Sequence, residues 1–356
     1  MLLITFLASL AATAVARHYL LKFRILDIPN ARSSHSIATA RGGGIGIVLV
    51  FLLTILWLRQ RDSIPGPIAW ALTGGGLLVA GVGLLDDHFN LSARTRLLAH
   101  FFAAGFALWQ IGGMTQVSFG PIVWQAGWVG NLLAATALVW MINLYNFMDG
   151  IDGLAGAEAV CVSLAACRIL AGSGLSGLSG AALALAGSSG GFLLWNWPRA
   201  LVFMGDAGSG FLGFVFGLLA VASAKERPLM LWPWVVLLAV FLTDTTLTLL
   251  RRILTTPDWG RAHRSHAYQH VAIRWRSHGK VTLSVAAINI VWLLPLAWAA
   301  SIWPAVGPLF AALAAVPLIF IEFRFAAGLD TARAAGCPKP GIPEQLKKEV
   351  DRVFSS

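Results

Sequence analysis

The sequence predicts an all-α, polytopic integral membrane protein of about eleven transmembrane helices, with an active site at their cytoplasmic ends. Three observations carry that prediction. Charged residues make up 12% of the 356-residue chain and hydrophobic residues 57%, against roughly 25% charged in a soluble globular domain. Apolar runs close to the ~20 residues that cross a bilayer core recur along the whole chain. The basic residues behind the net charge of +10 sit in short clusters between those runs, not on one polar face.

Taken in order, the runs fall at about 2–20, 43–59, 67–85, 95–112, 130–147, 154–171, 177–195, 207–224, 229–250, 281–300 and 302–324. The first ends in Ala14-Val15-Ala16, which imitates a signal-peptidase site. No Lys or Arg precedes its apolar core, whereas Arg17, Lys22 and Arg24 follow it, so it reads as a retained span. Eleven spans put the termini on opposite faces. Loops after odd-numbered spans hold 20 of the 26 Lys and Arg, and loops after even-numbered spans hold four: Arg59, Arg61, Lys225 and Arg227. The positive-inside rule therefore makes the odd loops cytoplasmic and the N-terminus external. The same bias explains the basic composition without a nucleic-acid partner and points to anionic membrane lipids instead. Cys161 and Cys167 lie in an apolar run and Cys337 in a polar stretch, without CxxC spacing, which excludes a disulfide framework and a zinc site. Gly213 and Gly217, four apart, suit close helix packing. Residues 1–324 form the expected transmembrane catalytic domain. Residues 325–356 are a cytoplasmic tail with a short amphipathic helix over 344–354, where Leu346, Val350, Val353 and Phe354 share a face.

Of only 16 acids, five sit at the cytoplasmic ends of three spans: Asp86 and Asp87, Asp149 and Asp152, and Asp206. Adjacent carboxylates such as Asp86 and Asp87 repel each other at a membrane boundary unless a cation compensates them. In Asn143-Leu-Tyr-Asn146-Phe-Met-Asp149-Gly-Ile-Asp152 polar residues recur every three positions, which lines them along one helix stripe. That stripe is too polar for lipid and must face a cavity. Phe203-Met-Gly-Asp206-Ala-Gly-Ser209-Gly puts an acid in a glycine-rich turn at a helix start, where free amides favour an anion. Carboxylates and amides without thiolates suit Mg²⁺, with Mn²⁺ as its substitute and phosphate completing the shell. Arg32, His35 and Arg41, then Arg94 and Arg96, then Arg261, His263, Arg264 and His266 supply phosphate-binding cations on the same face. Gly42-Gly-Gly44-Ile-Gly46 is not a P-loop and reads as packing at the mouth of the second span. Asp244 is either a functional intramembrane acid or a polar bridge to Arg251 and Arg252.

These motifs together resemble the polyprenyl-phosphate N-acetylhexosamine-1-phosphate transferases, glycosyltransferases of family 4, over nearly the whole chain. The residues that carry the resemblance are Asp27-Ile-Pro-Asn-Ala-Arg32-Ser-Ser-His35 with Gly42-Gly-Gly, Asp86-Asp87 with Arg96, the Asn143 to Asp152 string, and Phe203-Met-Gly-Asp206. The resemblance implies a multi-pass protein of the bacterial inner membrane that moves a sugar 1-phosphate from a UDP-sugar to polyprenyl (undecaprenyl) phosphate. It implies catalytic roles for Asp86, Asp87, Asp149 and Asp206, and Mg²⁺ binding by Asp206 and Asn146. Asn143, Asp149 and Asp152 would hold the nucleotide, and Arg96, His263, Arg264 and His266 the phosphates. A homodimer is a further expectation. Tyr268 and Gln269 stand where the N-acetylglucosamine branch has histidines, so this loop looks like that of the subgroup initiating O-antigen and related lipopolysaccharide glycans, with 6-deoxy N-acetylhexosamines as donors.

The reaction places a lipid phosphate oxygen on the β-phosphorus and expels UMP. Direct in-line attack is the preferred route, and a covalent intermediate on Asp86 or Asp87 is its rival. The rival function is a transporter or lipid flippase, which would place its acids at mid-bilayer.

Overall fold

A computed structural model describes residues 1–28, 38–119, 122–257, 260 and 263–329. Every apolar run lies in a helical rod. These are α1 (Leu2–Lys22), α2 (Ile45–Gln60), α3 (Gly66–Trp70) continued through a π-turn into α4 (Gly76–Phe89), α5 (Ala93–Ile111), α6 (Trp128–Met148), α7 (Leu154–Gly172), α8 (Ser176–Asn196) and α9 (Gly205–Glu226). They are followed by α10 (Leu231–Leu237), α11 (Ala239–Thr255), the short α12 (Ala267–Trp275), α13 (His278–Ile288) running through a π-turn into α14 (Leu294–Ile302), and α15 (Gly307–Arg324).

The chain is thus an all-α polytopic membrane protein. Among the described residues, eight rods are long and apolar enough to cross a membrane, and a ninth arises if α10 and α11, bent by 78°, count as one broken span. Two of the eleven expected spans fall short for local reasons. Helix α2 has 16 residues, and α5 carries Arg94, Arg96, His100 and Gln110. Arg32, His35, Arg261 and the amphipathic helix expected over 344–354 lie outside the described residues.

Helix α9 is the axis of the molecule, for its most apolar stretch is completely buried. Glycine makes this crowding feasible. A Cβ on Gly213 would lie 2.7 Å from the Met141 carbonyl carbon, so α6 and α9 touch backbone to backbone as expected from the Gly213/Gly217 pair. Gly44 and Gly208 do the same for α2 and α9, each within 2.8 Å of where the other's Cβ would stand. Just before these glycines, β1 (Leu26–Asp27), β2 (Thr39–Arg41) and β5 (Val202–Phe203) form a small ribbon in which β2 pairs parallel to β5. The amides of Gly42, Gly43 and Gly44 continue it by donating to Phe203 and Met204 carbonyls at 2.9–3.1 Å. The glycine run therefore packs at the mouth of α2, and it also fixes Arg41 beside the start of α9. A separate hairpin, β3 (Gln116–Phe119) and β4 (Ile122–Gln125), links α5 to α6.

Candidate active site

The site is built around the N-terminus of α9. Gly205 has φ +77°, a conformation that glycine adopts without strain, and Met204 offers the first turn no side-chain cap. Asp87 supplies the cap from α4. Its Oδ1 accepts from the Asp206 amide at 3.1 Å and its Oδ2 from the Ala207 amide at 3.4 Å. A carboxylate there also meets the positive end of the helix dipole. The helices come close enough because residue 83 is glycine. A Cβ on Gly83 would stand 2.6 Å from the Asp206 carbonyl carbon.

Two arginines pair with the three carboxylates gathered at this junction. Arg41 reaches Asp87 Oδ1 through Nε at 2.8 Å and Asp206 Oδ1 through Nη2 at 2.7 Å. Burial opposes its charge, yet Asp206, Asp87 and Asp27 outweigh that and hold the guanidinium above its ordinary pKa. Arg96 Nη1 donates to Asp86 Oδ2 at 2.6 Å and lies 3.7 Å from Asp206 Oδ2. Asp86 Oδ1 accepts from the Leu91 amide at 2.7 Å, which ties the acid pair to the turn before α5.

The polar stripe on α6 lies opposite. Asn146 Nδ2 donates to Ser209 Oγ at 3.3 Å, linking α6 to α9, while Asn143 Nδ2 donates to the Val139 carbonyl at 2.7 Å. Asp149 follows the end of α6. Burial pushes its carboxyl well above the usual range, and the like charges of Asp206, Asp87 and Asp152 add to the shift against opposition from Arg41. Asp152 is turned elsewhere: its Oδ2 accepts from the Ala200 amide at 3.2 Å and lies 3.3 Å from His278 Nδ1.

The third wall is the segment leading into α12. Asp244, on α11 and 3% exposed, caps α12 by accepting from the Ala267 and Tyr268 amides at 3.2 and 3.1 Å. The same carboxylate holds His266 Nδ1 at 3.0 Å. The polar bridge that Asp244 makes runs to α12 and His266. The His263 and His266 rings stack at 5.1 Å, and burial, with His266 and Arg252 nearby, lowers the His263 pKa to about 4. Tyr268 donates its phenolic hydrogen to the Phe147 carbonyl at 2.8 Å, and only a glycine at 150 leaves room for that hydroxyl. Gln269 Oε1 accepts from the His266 amide at 3.3 Å and completes the cap of α12.

These walls enclose a cavity of about 570 Å³. Of the residues singled out in the sequence, Asp86, Arg96, Asn143, Asn146, Asp206, His263, His266, Tyr268 and Gln269 line it together. Asp87, Asp149, Asp152 and Arg264 do not. Asp87 faces the α9 backbone, its side chain only 1% exposed, and Asp152 faces the Ala200 turn. His100, which carries no sequence signal, and Thr245, which the sequence marks only as a neighbour of Asp244, do line the cavity. So does Gly83, whose one available signal was its place a helical turn before the Asp86-Asp87 pair.

Fold and site together define a polytopic membrane enzyme that gathers carboxylates, amides, arginines and histidines at the ends of its helices. The family model described as Glycosyl transferase family 4 matches residues 69–224, which include Asp86, the α6 stripe and Asp206. The chain is 31% identical over 315 residues to the undecaprenyl-phosphate alpha-N-acetylglucosaminyl 1-phosphate transferase of Yersinia pestis, covering 82% of each chain. It is 27% identical over 302 residues to a probable undecaprenyl-phosphate N-acetylglucosaminyl 1-phosphate transferase of Bacillus subtilis, covering 81% of each. It is 33% identical over 264 residues to the phospho-N-acetylmuramoyl-pentapeptide-transferase of Moorella thermoacetica, covering 70% of this chain and 81% of the relative. The chain belongs to glycosyl transferase family 4.

Proposed function

We propose that the protein transfers an N-acetylhexosamine 1-phosphate from a UDP-sugar to polyprenyl phosphate and releases UMP. The observation that carries this reading is the meeting of Asp86, Asp206, Asn146 and Arg96 with His263 and His266 on one cavity. Hard oxygen donors beside cations suit a diphosphate, and the relatives' names supply the carrier lipid and N-acetylglucosamine. We read α2 and α5 as two further spans, which gives eleven, with the site on the cytoplasmic face of the bacterial inner membrane, where 20 of the 26 Lys and Arg would lie.

A divalent cation fits the donor set. The Asp86 and Asp206 side chains lie within hydrogen-bonding reach of each other, and such a pair of carboxylates needs a proton or a cation to relieve it. Among the described residues no three Asp, Glu, His or Cys side chains form a closed cage, so phosphate oxygens of the substrate would complete the shell, as is usual for Mg²⁺. Asp206 and Asn146 would hold Mg²⁺, or Mn²⁺ in its place. When bound, the ion offsets the negative charge that builds on the diphosphate.

The chain's own residues position and neutralise. Arg96 holds phosphate oxygens beside Asp86, and His266, fixed by Asp244, and His263, stacked on His266 and bonded to Ser265, hold those of the donor diphosphate. Asn143 borders the nucleotide from the cavity wall, Asp149 and Asp152 act from behind that wall, and Asp87 acts through the start of α9. A phosphate monoester has its second pKa near about 6, so the acceptor is largely ionised at neutral pH and attacks without a strong base. Its oxygen bonds to the β-phosphorus in line as the bond to UMP breaks. Trapping a phosphosugar on Asp86 or Asp87 in the absence of lipid would replace this route with the covalent one.

The test is UMP release from UDP-N-acetylglucosamine by membranes containing the protein. Release that requires both Mg²⁺ and added polyprenyl phosphate supports the reading, and release indifferent to the lipid overturns it. Competition with UDP-N-acetylfucosamine and UDP-N-acetylquinovosamine reads the finer preference. The Tyr268 ring on the cavity wall offers a C6 methyl an apolar face, and the expected discrimination is weak, at most about 10².

A further inference from the structure

We propose that His100 and Thr245 form a seat for the phosphate of the lipid acceptor, on the membrane side of Arg96. The inference rests on the transferase reading and assigns the acceptor's part of the same cavity. Both residues line that cavity. His100 is 8% exposed and Thr245 1%, yet His100 Nδ1 and Thr245 Oγ1 have no hydrogen-bond partner. Buried polar atoms are ordinarily paired, so two orphans on residues lining one cavity mark a place where a ligand brings the partner. The neighbouring hydroxyl of Thr248 shows the contrast, because it is spent on Asp244 at 3.2 Å.

Depth selects the ligand. His100 lies four residues beyond Arg96 on α5, about 6 Å further along the helix, and Thr245 lies ten residues before the end of α11, about 15 Å inside it. Both are within the rods, amid Val82, Leu97, Ile142 and Leu249 on the cavity wall. A nucleotide-sugar arrives from water and meets the loop end of the cavity first. A lipid phosphate arrives from the bilayer, and its polar head is what polar atoms at this depth would meet.

The chemistry agrees. Arg96 supplies the cation at the upper edge, while an imidazole N–H, with the proton on Nδ1, and a threonine hydroxyl donate to the remaining phosphate oxygens. Neutral donors hold the anion without placing a further charge inside the membrane, where charge is costly.

The experiment uses the full chain in detergent, with undecaprenyl phosphate as probe. His100→Ala and Thr245→Val are each expected to raise the KM for undecaprenyl phosphate about tenfold and leave the KM for the UDP-sugar within about twofold. Thermal stabilisation by undecaprenyl phosphate alone should weaken in parallel, a readout that a merely structural role would not move. His100→Gln, which keeps a donor, should recover most of both. An unchanged lipid KM, a rise confined to the UDP-sugar, or His100→Gln as impaired as His100→Ala would overturn the seat. Should His100→Ala fail to fold, Thr245→Val and His100→Gln decide by the same criteria. A wild type that neither binds nor uses undecaprenyl phosphate overturns the transferase reading, and the seat with it.

Discussion

Replacing Gly83 by alanine should disable the enzyme without touching any group that meets substrate. The added methyl would stand 2.5 Å from Ala207 Cα and 2.6 Å from the Asp206 carbonyl carbon, where ordinary contact begins at 3.4 Å, so α4 and α9 must part by about 0.9 Å. Both obstacles are backbone atoms of a buried helix, and no side chain can swing aside. Overpacking of this kind costs about 1–3 kcal/mol. The larger effect is geometric. The Asp87 bonds to the Asp206 and Ala207 amides, now 3.1 and 3.4 Å, would lengthen beyond hydrogen-bonding range, and Asp86 would draw away from Asp206. Misplacement on the ångström scale costs about 10² in rate. The assay is kcat for UMP release alongside the melting temperature in detergent, with Gly81→Ala as control, since a Cβ at 81 meets nothing within 4 Å. Wild-type kcat in Gly83→Ala, or an equal loss in Gly81→Ala, would refute the argument.

Asp206→Asn should lower turnover by about 10² or more at saturating Mg²⁺ with an unchanged melting temperature, measured on the same samples. Asp149→Asn should keep its melting temperature, because burial already holds that carboxyl toward its neutral form, whereas Asp87→Asn should lose about 1 kcal/mol of stability through the weakened cap. Paired melting curves separate the two. The His263 pKa falls from 6.5 to about 4 in the folded chain, so the folded state binds this proton less readily than the unfolded state. The stability it contributes is complete above pH 6.5 and is lost as pH falls through that value toward about 4. His263→Gln should flatten this acid limb in a pH series of melting temperatures.

What was legible in the sequence was whatever a linear pattern could encode. Apolar runs announced the rods, and a period of three announced the α6 stripe, because both are properties of one helix. The 78° break between α10 and α11 left no such mark. Orientation of a single side chain was also hidden. Asp86 and Asp87 are neighbours in sequence, yet the helix turns one to the cavity and the other into the α9 backbone, and no spacing says which partner helix each will meet. Asp152 completes the stripe by position but is drawn off by the Ala200 amide and His278. His100 escapes because an isolated polar residue in an apolar helix carries no spacing signal, and Thr245 because it is one of several hydroxyls flanking Asp244. Their place on the cavity and their burial without partners single them out.

The carboxylates therefore divide by what they bind. Asp87 and Asp244 use their oxygens on backbone amides at the starts of α9 and α12, and in doing so fix the Asp206 turn and His266. Asp86 and Asp206 remain on the cavity wall, and there Arg96 and Arg41 pair with them while Arg41 also serves Asp87, two guanidinium groups against three carboxylates. That junction has no positive charge to spare. A donor diphosphate and an acceptor phosphate would bring several negative charges into a region bounded by apolar helices, where uncompensated charge is expensive. Arginines already committed to Asp86, Asp87 and Asp206 cannot offset them while those pairs persist. A divalent cation held by Asp206 and Asn146 would relieve Asp206 of its need for Arg41 and Arg96, and the released guanidinium groups could then turn to phosphate. Until then the arginine pairs hold Asp86, Asp87 and Asp206 in place.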